Sequence, residues 1–196
     1  MSTETLTRLE GDAQRLHLQA TAQHRESERV ISTLTLEQWI WSPDTQTWNI
    51  ALILDHLNII SNLMLPKIDE AIGKLRADNL RSDGPFHYNL MERLFIRILS
   101  PDPPFKVPVP PLYVPKIHAD PATEIGPNFL ENQRRFLRGL EDGNGLDWKK
   151  IKISSSAFGW MKLTLGGWLE ANVAHEQYHW LQVKALQSHP NFPRAG

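Results

Sequence analysis

Residues 164–187 read TLGGWLEANVAHEQYHWLQVKALQ. Leu165, Trp168, Leu169, Val183 and Leu186 recur at the three-and-four spacing that puts side chains on one face of a helix. The positions that should carry this stripe through its middle are Asn172, Glu176 and His179, with His175 on the flank. The helix therefore places polar groups where its core face should be driest. Such a conflict with packing is the pattern expected at a functional site. His175 and His179 are four residues apart, about 40° on the helical wheel, so their imidazoles can bind one ion from one side.

The rest of the chain supplies partners for this helix. From Thr5 to about Leu34 the apolar residues Leu6, Leu9, Ala13, Leu16, Ala20, Ile31 and Leu34 follow helical spacing, with Ser27 and His24 in the same stripe and His17 at its edge. The pattern fades near Trp39, and Ser42-Pro43-Asp44 reads as a turn. Thr47 is the expected N-cap of a second helix reaching about Leu75, with Pro66 expected to kink or interrupt it. Ser82-Asp83-Gly84-Pro85 is a break, and Tyr88–Leu99 has the pattern of a short helix.

The stretch SPDPPFKVPVPPLYVPKIHADP, residues 100–121, cannot form a regular helix or a central strand, because its prolines remove donors and fix φ. It reads as an extended connection anchored on the surface by Phe105, Val107, Leu112 and Tyr113. Pro121 opens a third helix running to about Leu140, stopped by Asp142-Gly143-Asn144-Gly145. Lys149–Ser154 has some β character. The expected architecture is all-α: a four-helix bundle with a long Pro-rich crossover between helices 2 and 3.

On the second helix, His56 has Leu52, Ile59, Ile60 and Leu63 as wheel neighbours, while Asp55, Asn58 and Asn62 share the other side. A lone histidine on an apolar face is more often a hydrogen-bonded core residue than a ligand. Three neutral imidazoles converging inside a bundle are another matter, since their burial is costly without a shared purpose. One divalent ion on His56, His175 and His179 satisfies all three and leaves a fourth position for water. Glu176 is the candidate general base or orienting partner of an imidazole. Asn172, Tyr178, His24 and Trp48 are candidate pocket residues.

Composition narrows the function. At 196 residues one domain spanning 1–196 is the expectation. A net charge of −1 lacks the basic surplus that nucleic-acid binding requires. Without cysteine there can be no disulfide, Cys-based metal site or cysteine nucleophile. The opening MSTETLTRLEGDAQRL has no basic segment followed by an apolar run, and no apolar stretch reaches the roughly 18–20 residues of a membrane span. The expectation is a cytoplasmic protein with no membrane partner.

His175-Glu176-Gln177-Tyr178-His179 also reads HExxH, the zinc metallopeptidase motif. That class needs a third ligand, usually further along the chain. No Asp or Glu follows His179, Gln182 and Ala185 stand where the extended motif has Gly and His, and His189 lies ten residues on, beside Pro190. A peptidase is therefore the weakest of the enzymatic readings.

The segments Thr47-Trp48-Asn49-Ile50-Ala51-Leu52-Ile53-Leu54-Asp55-His56-Leu57 and Phe158-Gly159-Trp160-Met161-Lys162-Leu163-Thr164, with Trp168-Leu169 and His175 to Val183, resemble the helix-two and last-helix signatures of the DinB/YfiT-like superfamily. There a Trp near the start of helix two precedes a ligand histidine by eight residues. The last helix carries HxxxH followed by Gln and an apolar residue, and a Pro-rich crossover joins helices two and three. The resemblance implies a four-helix bundle with one metal, commonly nickel or zinc, held by His56, His175 and His179. Dimers are common in such proteins. The family includes thiol S-transferases using low-molecular-weight thiols, a maleylpyruvate isomerase and proteins labelled metal-dependent hydrolases. The expected function is metal-dependent hydrolysis or thiol transfer on a small molecule. The alternative is a non-catalytic module in which the metal staples the bundle. That module calls for a closed four-ligand site, and only three matching histidines are present.

Overall fold

A computed structural model describes residues 9–82, 84–118 and 120–194. In chain order the elements are α1 (Gly11–Ile31), α2 (Leu36–Ile40), α3 (Ile50–Ala77), α4 (Leu90–Leu99), α5 (Pro121–Asp142), β1 (Lys152–Ser154), β2 (Lys162–Thr164) and α6 (Leu165–Gln187). The two strands form an antiparallel ribbon. The long helices α1, α3, α5 and α6 make an all-α bundle in which α1 and α3 each pack against both α5 and α6. That arrangement brings α3 and α6, the helices carrying the candidate ligands, side by side. The crossover from α3 to α5 is the expected Pro-rich connection and includes α4, which packs on α6. Among the described residues, no helix is long and apolar enough to cross a membrane.

Helix starts follow capping chemistry. Thr164 accepts a hydrogen bond from Gly167 N at the start of α6. Asp120 caps α5, with Pro121 at its first position. Asn89 and Glu92 form a capping box on α4.

Several expectations need correction. The first helix starts at Gly11 and ends at Ile31; its expected first turn, residues 5–8, lies outside the described residues. Trp39 does not mark a fading helix but sits in α2, closed by a capping box between Thr35 and Gln38, and is fully buried. The cap of α3 is Asn49, which accepts from Leu52 N; Thr47 instead donates to Asp44 in the preceding turn. Pro66 does not interrupt α3, whose flanking Leu65 and Ile68 are locked in the core.

The crossover anchors also differ. Phe105, Val107 and Leu112 stay about half exposed (53%, 49% and 49%). The segment is fastened by polar bonds around Tyr113, which lies in a single 3₁₀ turn, Pro111–Tyr113. The Tyr113 hydroxyl accepts from Ala157 N, the Tyr113 carbonyl accepts from His56 Nδ1, and Lys116 N donates to Asp55. A Pro-rich backbone cannot satisfy itself, so side chains of α3 pair the Tyr113 carbonyl and the Lys116 amide, while the Ala157 amide holds the Tyr113 hydroxyl.

The core falls into two apolar clusters. One holds Leu16, Ile68, Phe136, Leu140, Trp148 and Leu169. The other holds Trp39, Ile50, Leu54, Phe129, Trp180 and Val183. Each fully buried side chain of this size contributes about 1.5–3 kcal/mol. Between them lies a buried polar layer: Ser27 on α1, Asn58 on α3, Asn132 and Gln133 on α5, and Glu176 on α6. A polar layer of this kind persists only when its members are paired.

Candidate metal centre

Asp55 and Asn58, on the other side of the helix from Leu52, Ile59 and Leu63, are both buried, 7% and 2% exposed. Asn58 donates to Ile125 O and accepts from Asn132, which also bonds Asn62 and Asn128. These contacts set the rotation of α3 so that His56, only 2% exposed, points at α6. The His56 ring centroid is 5.4 Å from that of His175 and 4.8 Å from that of His179. One ligand atom from each of the three histidines lies within 4.8 Å of the others. Among the described residues, no other His, Cys, Asp or Glu completes the group.

The hydrogen bonds decide which nitrogens face inward. His56 Nδ1 is 2.7 Å from the Tyr113 carbonyl, which can only accept, so this nitrogen carries the proton and Nε2 is left with its lone pair. His179 Nδ1 is 2.8 Å from Gln182 Oε1, with the same consequence. His179 Nε2 then meets His175 Nε2 at 3.0 Å. Bonds of 2.0–2.1 Å at tetrahedral angles would set ligand nitrogens roughly 3.3 Å apart. The His175–His179 pair is already near that spacing, and the His56 ligand atom lies within 4.8 Å of both, so the three imidazoles can converge on a shared divalent ion. Two of them have their outer nitrogens occupied, as is usual for metal-ligating histidines.

Trp48 closes one side, its ring 5.2 Å from His56 and stacked 6.4 Å from His179. The Tyr178 ring is 5.0 Å from His179. Two narrow crevices reach His175. One is lined by Ile60, Asn132, Gln133, Asn172 and Glu176, and the other by Met64, Ile68, Trp168 and Asn172. Glu176 accepts from Gln133 Nε2 at 2.5 Å; the same Gln133 donates to Ser27 and accepts from His24 Nδ1. His24 thus belongs behind Glu176 rather than at the ion. The sequence reading missed Gln133, Asn132, Asp55 and Tyr113. For Asn132 and Gln133 a signal exists, since they interrupt the stripe Ile125, Phe129, Phe136, Leu140 as His179 and Glu176 interrupt theirs.

The sequence profile of the DinB superfamily matches residues 19–183. The chain belongs to the DinB superfamily. The match spans all four long helices in part or whole and includes His56, His175, Glu176 and His179. No curated protein and no solved structure matches the chain significantly. In this DinB-superfamily member the third imidazole comes from an upstream helix, unlike the downstream ligand of a typical HExxH peptidase.

Burial holds the three imidazoles neutral. It lowers His175 far below the ordinary histidine value, with His179 and His56 adding to the effect. It lowers His179 to about 3, with His56 adding and Gln182 opposing. It lowers His56, against the Tyr113 carbonyl and Asp55. Burial pushes the Glu176 carboxyl up to about 7, with the Gln133 hydrogen bond opposing.

For the metal-free protein these shifts act in opposite directions. Below the ordinary histidine value of 6.5 the unfolded chain takes up protons that the native imidazoles refuse, so stability falls as pH drops, for His179 down to about 3. Glu176 binds its proton at about 7 in the native state but only at 4.5 when unfolded, so it favours the native state as pH falls across that window. His118, raised by its Glu124 hydrogen bond, also favours the native state as pH falls, but the three imidazoles held below their ordinary value outweigh these two groups. The metal-free Tm is expected to drop between about pH 7.5 and 5 in thermal scans. A Tm that held or rose would show that the native site accepts protons.

Proposed function

We propose that this DinB-superfamily protein is a metal-dependent enzyme acting on a small molecule, either hydrolysing it or transferring a low-molecular-weight thiol to it. His56, His175 and His179 hold one divalent transition ion, nickel or zinc. The observation that carries the reading is the placement of Glu176. It lines the same narrow crevice as His175, so a carboxyl stands beside one imidazole of the three-histidine group. An ion held there supplies Lewis acidity, lowering the pKa of a water or thiol brought against it.

The protein's own groups do the rest. Glu176 takes the proton of the attacking water or thiol on its carboxylate and returns it to the leaving group. Gln133 fixes that carboxylate through a hydrogen bond to Oε1. Asn172 lines both crevices, and Met64, Ile68 and Trp168 give the second an apolar wall beside His175. With no cysteine in the chain, any sulfur must arrive on the co-substrate. A metal that merely staples the bundle is the competing reading, and it gives no role to either crevice.

The test is a screen of metal-free and reloaded protein against small esters, amides and lactones. A parallel screen uses electrophiles in the presence of several low-molecular-weight thiols. Turnover that is lost on chelation and returns with one equivalent of metal is the expected result. A metal-loaded protein inert in both screens would favour the stapling role.

A further inference from the structure

Residues 113–118 of the crossover meet α3 at the turn carrying His56. Three contacts made by residues 113–118 land on Asp55 and His56. The Tyr113 carbonyl accepts from His56 Nδ1 at 2.7 Å. Lys116 N donates to Asp55 Oδ2 at 2.8 Å. His118 Nε2 stands 3.2 Å from Asp55 Oδ1, as an off-axis ion-pair contact rather than an aligned hydrogen bond. The other face of the His118 ring, Nδ1, is 2.8 Å from Glu124 Oε2 on α5. The imidazole therefore bridges a carboxylate on α3 and a carboxylate on α5, with the crossover backbone tied between them. Asp55 is only 7% exposed. A buried carboxylate needs such partners for both oxygens, and here both come from the crossover.

This geometry has a consequence for the site, because the Tyr113 carbonyl selects the tautomer of His56. With Nδ1–H committed to that carbonyl, Nε2 keeps its lone pair and faces His175 and His179. Without it, the proton can sit on either nitrogen and the ring can turn. A backbone carbonyl in a Pro-rich segment is not held by any ladder of its own. Its position depends on where the segment is pinned. We propose that His118, bridging Asp55 and Glu124, is a positioning residue for the metal centre: it pins residues 113–118 so that Tyr113 holds His56 as the Nδ1–H tautomer with Nε2 directed at the ion. This rests on the reading of His56, His175 and His179 as metal ligands. Outer contacts that orient a ligating histidine are typically worth about 10–100-fold in metal affinity.

The experiment uses the full chain with His118→Ala, His118→Gln and, as a control, Arg97→Ala. The control removes a crossover contact to Asp102 that lies away from α3. Two properties are read. Long-range proton–nitrogen NMR of the metal-free protein reports the His56 tautomer. Competition against a chromophoric chelator gives zinc affinity, with the visible spectrum of the cobalt-loaded protein reporting ligand geometry. In wild type and Arg97→Ala, His56 is expected to be the Nδ1–H tautomer. In His118→Ala a mixture of tautomers, a zinc affinity lowered by about 10-fold or more and a shifted cobalt spectrum are expected. His118→Gln, which keeps a donor toward one carboxylate, should fall between. If His118→Ala folds poorly, the glutamine variant carries the comparison. Unchanged tautomer, or unchanged zinc affinity despite an altered tautomer, would overturn the positioning role. If wild type itself binds no zinc, the ligand assignment fails, and the NMR comparison still decides whether His118 sets the His56 tautomer.

Discussion

Glu176→Gln should keep its metal and lose turnover by about 10²–10⁴-fold, the usual range for removing a general acid or base. The substitution is well suited to the site. Glu176 accepts a hydrogen bond from Gln133 through Oε1, and the amide oxygen of glutamine can accept the same bond. The polar layer joining Ser27, Gln133 and residue 176 would survive, while the group able to take a proton would not. Steady-state kinetics on whichever substrate the screen identifies, paired with metal content, separate three cases. Metal kept with turnover lost supports the base role. Metal lost makes Glu176 a group that orients the ligands. Metal and full activity both retained remove Glu176 from the chemistry.

His179→Ala should weaken metal binding by roughly 10²–10³-fold. Structural zinc sites bind with about 10–16 kcal/mol over four ligands, or about 2.5–4 kcal/mol each. His179 has more to lose than an average ligand. It is 5% exposed, its Nε2 is the 3.0 Å neighbour of His175, and it packs against Trp48 and Tyr178. The variant leaves His175 without its neighbour and Trp48 over a cavity. A modest fall in the metal-free Tm is therefore expected beside the large fall in affinity. Zinc competition titrations read the affinity, and an undiminished value would remove His179 from the ligand set.

The fold and the three histidines were legible because both depend on periodicity. Leu165, Trp168, Leu169, Val183 and Leu186 identify the face of α6, and the polar residues interrupting that face mark the candidate site. What escaped the sequence depends on contacts between distant segments. The sequence placed Asp55 and Asn58 on one side of α3 without showing their partners, Lys116 N and Ile125 O, which come from the crossover and α5. Phe105, Val107 and Leu112 looked like anchors because they are apolar. The crossover instead holds through a carbonyl, an amide and an imidazole, whose pairing no hydrophobic pattern records. Thr47 and Asn49 are both acceptable caps by chemistry, and the choice was made by Asp44, which takes the Thr47 amide and hydroxyl. Gln133 could have been found by applying the α6 argument to α5.

The most direct test of the three-histidine centre is the coordination of the ion itself. Metal-free protein titrated with zinc should bind one equivalent per chain. X-ray absorption of that sample, together with a metal-loaded crystal structure, should show three imidazole nitrogens at about 2.0–2.1 Å, from His56, His175 and His179, and one position filled by solvent. No stoichiometric uptake, or an ion bound without these three imidazoles, would contradict the account.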